Sequence, residues 1–196
     1  MKNIILASAS ERRSRILSDC GIDHKVAVSY AEETQEPGKE VYRTVIENAS
    51  RKAEIIAIDV SKSIVVGADT LVVHGNNILG KPENEKVAKE MLSKFSGSNI
   101  EVYTGLCVID SDTGERASGY DKSGLVVSSL NEEEVKKYFK LLGPYDKAGG
   151  FSIEGVGSLI FDNIAGSYFN ILGLPMIKLA DLFRELGLDI LDFINK

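Results

Sequence analysis

Strand-like apolar runs alternate with amphipathic helical segments along most of this 196-residue chain. The run Ile4–Ala7 leads into Ser8 and Ser10, and serine is a residue type that begins helices well. A second run, residues 63–73, is rich in β-branched residues, and Gly67–Thr70 is expected to interrupt it. This interleaving predicts an α/β fold, in which helices pack on a mixed sheet.

The remaining pattern agrees with that fold class. A long helix is expected over residues 38–59, with an apolar stripe on one face and Lys52 off the stripe. The last third predicts a glycine-rich loop at residues 149–157, an apolar strand from Ser158 to Phe161, and a helix opened by Pro175.

Length and composition favour one globular domain over residues 1–196. The chain has a net charge of −6, which argues against a broad nucleic-acid surface. Cys20 and Cys107 lack metal-like spacing, so we expect no zinc site. No apolar run reaches the length of a membrane span or of a signal peptide, so we expect a cytoplasmic protein with no membrane partner.

The junction after the first strand is suited to binding anions. A strand that runs directly into a helix leaves free N–H groups and the positive end of the helix dipole at the junction. Arg12 and Arg13 fall in the first turn of that helix. The junction therefore predicts a phosphate contact, although the arginines could equally belong to a solvated face.

Asp69 is a charged residue inside an otherwise apolar strand. It could be a structural carboxylate that caps a neighbouring turn. If the sheet brings Glu32 or Glu33 near it, the carboxylates would form an acidic site for Mg²⁺, a hard cation that prefers oxygen ligands. Both interpretations stay open on the residues alone.

One phosphate-binding motif is matched only in part. Residues 75–81 fit the first seven positions of a P-loop, but Pro82 stands at the eighth. Proline supplies neither a hydroxyl for Mg²⁺ nor an N–H for a phosphate. The P-loop interpretation is therefore disfavoured.

Ten short motifs, in order, resemble the Maf-like nucleoside triphosphate pyrophosphatases. They cover residues 6–175 and stand at Leu6–Arg13, Lys52-Ala53, Ala68-Asp69-Thr70, Gly80-Lys81-Pro82, Ser96-Gly97, Thr104-Gly105, Asp146–Gly149, Ile153-Glu154-Gly155, Gly166-Ser167-Tyr168 and Gly173-Leu174-Pro175. The resemblance implies an elongated mixed sheet with flanking helices, forming two lobes around a cleft as in inosine triphosphate pyrophosphatases. It also implies homodimers and cleavage of a nucleoside triphosphate to the monophosphate and diphosphate, with canonical or modified nucleotides as substrates.

The same resemblance assigns roles to residues. Asp69 would be the proton acceptor. Lys52 and Lys81 would be the other catalytic residues, and these lysines, Arg12, Arg13 and Lys147 would contact phosphates or hold the cleft. Glu33 with Asp69 would hold a divalent cation, Mg²⁺ or alternatively Mn²⁺. The residues expected to bind substrate are Ser8, Ser10, Arg12, Arg13, Thr70, Lys147 and Glu154.

Two features leave the base and the role open. Glu154 stands where the branch acting on uridine and thymidine nucleotides usually has glutamine, and a carboxylate favours a donor-rich base edge such as that of guanine. Arg12 and Thr70, however, do not match the branch that acts on N7-methylated guanosine triphosphate.

A non-catalytic nucleotide-binding regulator of septum formation is the alternative function, and turnover would distinguish it from an enzyme.

Overall fold

The computed structural model describes residues 2–35, 40–142 and 147–194. The strands are β1 (Asn3–Ala7), β2 (His24–Val26), β3 (Ser63–His74), β4 (Asn77–Leu79), β5 (Asn99–Asp110), β6 (Arg116–Val127) and β7 (Phe161–Ala165). The helices are α1 (Glu11–Asp19), α2 (Val41–Ala57), α3 (Glu85–Phe95), α4 (Glu132–Leu142), α5 (Tyr168–Leu172) and α6 (Met176–Glu185). Short 3₁₀ turns occupy Ala148–Gly150, Gly155–Ile160 and Ile190–Phe193.

The strands form one mixed sheet of seven, in the order β2-β1-β3-β5-β6-β7, with β4 paired to β3. β1 lies parallel to both of its neighbours, and Ile4 is opposite His24 on one side and Ile64 on the other. β4 and β7 pair antiparallel with β3 and β6. The predicted mixed sheet with flanking helices is confirmed.

The chain forms two compact units, and β3, β5 and β6 contribute residues to both. The first unit draws its described residues from Met1–Thr70, Thr104–Asp121 and Leu172–Lys196, and the second from Leu71–Tyr103 and Lys122–Ile171. The expectations of one domain and of a cleft between lobes stay predictions.

In the first unit, α2 packs closely on the sheet. Ala49 and Ala53 of the helix join a buried apolar cluster with side chains from the strands, Ile5, Ala7, Val65, Cys107 and Ile109. Gly67 of β3 makes the close approach possible, because an added Cβ would lie 2.1 Å from the carbonyl oxygen of Ala49. At Gly105 of β5, an added Cβ would likewise lie 2.2 Å from the carbonyl oxygen of Val45. Gly67 therefore serves helix packing, and the expected interruption of the strand is wrong because β3 runs through it.

The second unit is packed around aromatic rings. Phe151 contacts Phe95 and Phe161 edge to face, with ring centroids 6.2 and 5.4 Å apart. The strand expected from Ser158 to Phe161 is wrong, because Gly155–Ile160 forms a 3₁₀ turn and β7 begins only at Phe161. A short apolar run fits a 3₁₀ turn as well as a strand.

No helix in the described part of the chain is long and apolar enough to cross a membrane. Asp146, part of one motif that carries the family resemblance, lies outside the described residues.

Candidate active site

The loop between β1 and α1 is ordered by two serine hydroxyls. Ser10 is the N-cap of α1, and its Oγ accepts a hydrogen bond from the Arg13 N–H at 3.4 Å. Ser8 is buried, and its Oγ accepts from the Ser10 N–H at 3.2 Å and from Nη1 of Arg13 at 3.0 Å. Beside this loop lies a pocket of about 330 Å³, lined in part by Ser8, Ser10, Ser14 and Arg15. The predicted strand-to-helix junction is confirmed.

The Arg13 guanidinium ties this loop to two other parts of the first unit. Its Nη1 donates to the carbonyl oxygen of Ala68 at 3.0 Å, and its Nη2 donates to Oγ1 of Thr70 at 2.9 Å. Its Nε donates to the carbonyl oxygen of Gly173 at 2.7 Å. Arg13 therefore fixes the residues on either side of Asp69 in space, while its contact with substrate stays a prediction.

Asp69 is only 4% exposed, and both of its carboxylate oxygens are held. Oδ1 accepts from Nζ of Lys52 at 2.7 Å, and Oδ2 accepts from Nδ2 of Asn48 at 3.0 Å. Burial lowers the pKa of the Arg13 guanidinium, while the charges of Asp69 and Glu33 act in the opposite direction. Asp69 is thus an oriented carboxylate in a site that excludes most water.

Lys52 brings the two predicted acidic residues together. Its Nζ lies 2.7 Å from Oδ1 of Asp69 and 2.7 Å from Oε1 of Glu33. Lys52 is itself buried, on the same face of α2 as Ala49 and Ala53. The expectation that Lys52 lies off the apolar stripe is wrong, because the face that packs on the sheet also carries the polar groups that reach Asp69. The expected proximity of Glu33 to Asp69 is confirmed.

Asn48 is a site residue that the sequence reasoning missed. It stands four positions before Lys52, on the same helix face, and spacing from Lys52 is the signal that could have revealed it. We refer below to Asn48, Lys52, Asp69 and Glu33 as the Asp69 cluster.

The Asp69 cluster offers a metal ion only two carboxylates. Within the described residues, no group of three or more His, Cys, Asp or Glu side chains could hold a metal ion. Mg²⁺, however, is commonly bound by one or two carboxylates together with substrate phosphates. Two carboxylates suit such a cation only together with other oxygen ligands. A metal site at Glu33 and Asp69 stays a prediction.

The other predicted site residues are spread over two places. Arg12 lies in the first turn of α1. Lys81, Lys147 and Glu154 belong to the second unit, where the N–H of Gly149 donates to the carbonyl oxygen of Gly80 at 3.0 Å. This bond brings the segments that carry Lys81 and Lys147 together. We refer to residues 147–160 as the glycine-rich segment. A shared site for these residues and Asp69 stays a prediction.

Comparison with known proteins identifies the family. Residues 3–186 match the family described as Maf-like protein. A dTTP/UTP pyrophosphatase of Desulforamulus reducens is 40% identical over 97% of this chain and 100% of its own length. Proteins of the same name from Bacillus cereus and Methanococcoides burtonii are 39% and 36% identical, over 97% and 98% of this chain and 93% and 99% of their own lengths.

Among solved structures, the Ham1 protein of Staphylococcus aureus aligns at 14% identity and a TM-score of 0.49 over 95% of this chain and all of its own. The match of the family over nearly the whole chain, together with relatives of this identity and coverage, shows that the chain belongs to the Maf-like protein family.

Proposed function

We propose that this protein hydrolyses nucleoside triphosphates at the bond between the α- and β-phosphates. Water would add to the α-phosphorus, the bond to the bridging oxygen would break, and the products would be a nucleoside monophosphate and diphosphate. The observation that carries the proposal is the buried Asp69 carboxylate, held on one oxygen by Lys52 and on the other by Asn48.

The arrangement gives each residue a chemical task. Asp69 would accept the proton of the attacking water, because an oriented carboxylate is a competent general base. Lys52 lies within 2.7 Å of both acidic groups, so its charge offsets theirs where an anionic substrate must approach. Mg²⁺ or Mn²⁺ bound by Glu33 and Asp69 would supply Lewis-acid stabilisation of the phosphate charge.

The phosphate contacts are assigned to the β1–α1 loop and to the cationic side chains. Ser8, Ser10 and Arg12 lie at the start of α1, where the positive end of the helix dipole favours anions. Lys81 and Lys147 are the further cations that the proposal assigns to the phosphates.

For the base, we propose thymine and uracil as the first candidates, because the relatives above are named dTTP/UTP pyrophosphatases. The carboxylate of Glu154 supports the competing preference for a guanine-type edge. Canonical substrates and modified nucleotides therefore belong in the same assay.

The first experiment is a panel of nucleoside triphosphates with Mg²⁺, assayed separately for diphosphate and orthophosphate. It includes dTTP, UTP, GTP and N7-methylated GTP. Diphosphate from dTTP or UTP is the expected result. Orthophosphate alone would contradict cleavage between the α- and β-phosphates, and nucleotide binding without any product would favour the regulator.

A further inference from the structure

Asn48 is a buried polar side chain whose amide is fully engaged. It is 2% exposed, and a buried amide is costly unless its polar atoms find partners. Its Oδ1 accepts from the N–H of Thr34 at 3.1 Å. Its Nδ2 donates to the carbonyl oxygen of Thr34 at 3.3 Å and to Oδ2 of Asp69 at 3.0 Å.

The neighbours of Asn48 fix the orientation of its amide. The N–H of Thr34 can only donate, so it must face the carbonyl oxygen of the side chain. The Asp69 carboxylate can only accept when it is ionised, so it must face the NH₂ group. Both contacts require the same orientation, and an amide turned by 180° would break both. Asn48 therefore links Thr34 and Asp69 in one defined geometry.

The segment that contains Thr34 depends on such contacts. Residues 28–35 form no helix or strand, so no pairing with a neighbouring strand holds them in place. Asn48 pairs with both backbone groups of Thr34, as a neighbouring strand would. Arg51 adds bonds to the carbonyl oxygen of Glu32 at 3.0 Å and to Oγ1 of Thr34 at 2.7 Å. Glu33 lies between these two anchored residues.

We propose that Asn48 is a positioning residue, which holds the Glu33–Thr34 segment against Asp69 and so sets the separation of the two carboxylates. The proposal rests on the proposed function, in which those carboxylates meet a divalent cation and a phosphate. Asn48 acts through Glu33 and Asp69. Arg51 differs because its bonds anchor the segment without a bond to Asp69.

The test compares Asn48→Leu with a matched control, Asn170→Leu. Asn170 is also a fully buried asparagine, and its Nδ2 donates to the carbonyl oxygen of Val102 at 3.0 Å in the second unit. Both variants lose a buried amide of the same size, so both are expected to lose stability. Only Asn48→Leu should change the Asp69 cluster.

Two measurements separate positioning from stability. Hydrogen exchange of the Thr34 amide needs no turnover, and it should become faster in Asn48→Leu and stay unchanged in Asn170→Leu. Mn²⁺ binding in the presence of a non-hydrolysable dTTP analogue should weaken about 10–100-fold in Asn48→Leu, the usual cost of losing a partner that orients a metal ligand. With Mg²⁺ in the assay, the half-saturating metal concentration should rise more than the KM for dTTP.

Unchanged Thr34 exchange and unchanged Mn²⁺ affinity in a folded Asn48→Leu protein would overturn the proposal. If that variant does not fold, Asn48→Ser removes the same bonds without placing an apolar group beside Asp69, and the same outcomes decide. A wild-type protein that releases no diphosphate would instead overturn the proposed function, while Thr34 exchange would still report on the role of Asn48.

Discussion

The Asp69 cluster and the glycine-rich segment carry candidate residues on two different kinds of scaffold. Asp69 lies inside β3, and its partners Asn48 and Lys52 lie on α2, so regular elements fix all three. The glycine-rich segment is built from short 3₁₀ turns, and Gly149, Gly150 and Gly155 adopt positive φ angles of 75°, 68° and 56°. The proposed proton acceptor and its two bonded partners therefore lie on regular elements, whereas Glu33 lies on a segment without helix or strand. The proposed base recognition lies on a segment of tight turns.

The anchors of the two regions differ in the same way. Asp69 has a side-chain donor on each oxygen, one of them charged. In the glycine-rich segment, the N–H of Ser152 donates to the hydroxyl of Tyr138 at 3.2 Å. The N–H of Glu154 donates to Oγ of Ser152 at 3.1 Å. A change in the Asp69 cluster should thus alter catalysis or stability. In the second region, a change at Glu154 should alter substrate preference, and a change at its anchor Tyr138 should alter stability.

The largest expected effect is that of Asp69→Asn. Replacing the carboxylate by an amide removes the general base, so turnover of dTTP and UTP should fall about 10²–10⁴-fold. Diphosphate release measures it, with Asp162→Asn on the exposed strand β7 as the control. Retention of more than a tenth of the activity by Asp69→Asn would remove the central role of this residue.

Arg13→Lys tests the hydrogen bonds that hold the neighbours of Asp69 in place. Lysine keeps the charge but cannot bond Ala68, Thr70 and Gly173 at once, so the free energy of unfolding should fall by about 2–3 kcal/mol. The exposed Arg184→Lys should change it by less than about 0.5 kcal/mol. Urea denaturation compares the two, and equal effects would show that the guanidinium bonds add little.

Tyr138→Phe tests the anchor of the second region through pH. Burial raises the pKa of Tyr138 to about 12, against a lesser opposing effect of the Ser152 N–H. The unfolded chain releases this proton near pH 10 and the folded chain near 12. The stabilisation is therefore complete below pH 10 and is lost as the pH rises through 12.

Between about pH 9 and 11.5, the wild type should lose about 2 kcal/mol more unfolding free energy than Tyr138→Phe. Urea denaturation at both pH values provides the measurement. Tyr30→Phe, at a residue 93% exposed, is the control and should follow the wild type. Parallel losses in wild type and Tyr138→Phe would contradict a buried, neutral phenol at this position.

Glu154→Gln is expected to have the smallest effect and to act on selectivity. An amide can donate as well as accept, so the ratio of kcat/KM for UTP over GTP should rise roughly tenfold, about 1.4 kcal/mol. Glu133→Gln, an exposed change on α4, serves as the control. An unchanged ranking of nucleotides would separate the glycine-rich segment from base recognition.

The parts of the fold that were predicted correctly depend on local rules. The β1–α1 junction follows from an apolar run and a serine cap, both of which act within a few residues. The sequence predicts a strand at Ser158 where the structure has a 3₁₀ turn, because a four-residue apolar run does not distinguish the two. The continuity of β3 was also missed, because the reason for Gly67 lies in α2, which is distant in sequence.

The site shows the same division. Asp69 was recognised because a charge in an apolar strand needs a reason, and Glu33 was recognised by resemblance. The i, i+4 spacing places Asn48 on the same helix face as Lys52, but helical periodicity does not show that this face covers Asp69. The packing of α2 on the sheet decides that, and it depends on the close approach at Gly67 and Gly105.

That close approach limits how this protein can be engineered for heat resistance. Exchanging glycine for alanine often stabilises a protein by about 0.4–1 kcal/mol, because it restricts the unfolded chain. At Gly67 and Gly105 the added methyl group would instead meet a helix carbonyl oxygen at 2.1 and 2.2 Å. α2 would have to move outward, and Asn48 and Lys52 would move with it. A purely steric change of one carbon atom, made at a residue without a side chain, would thus appear in the assay as a catalytic defect.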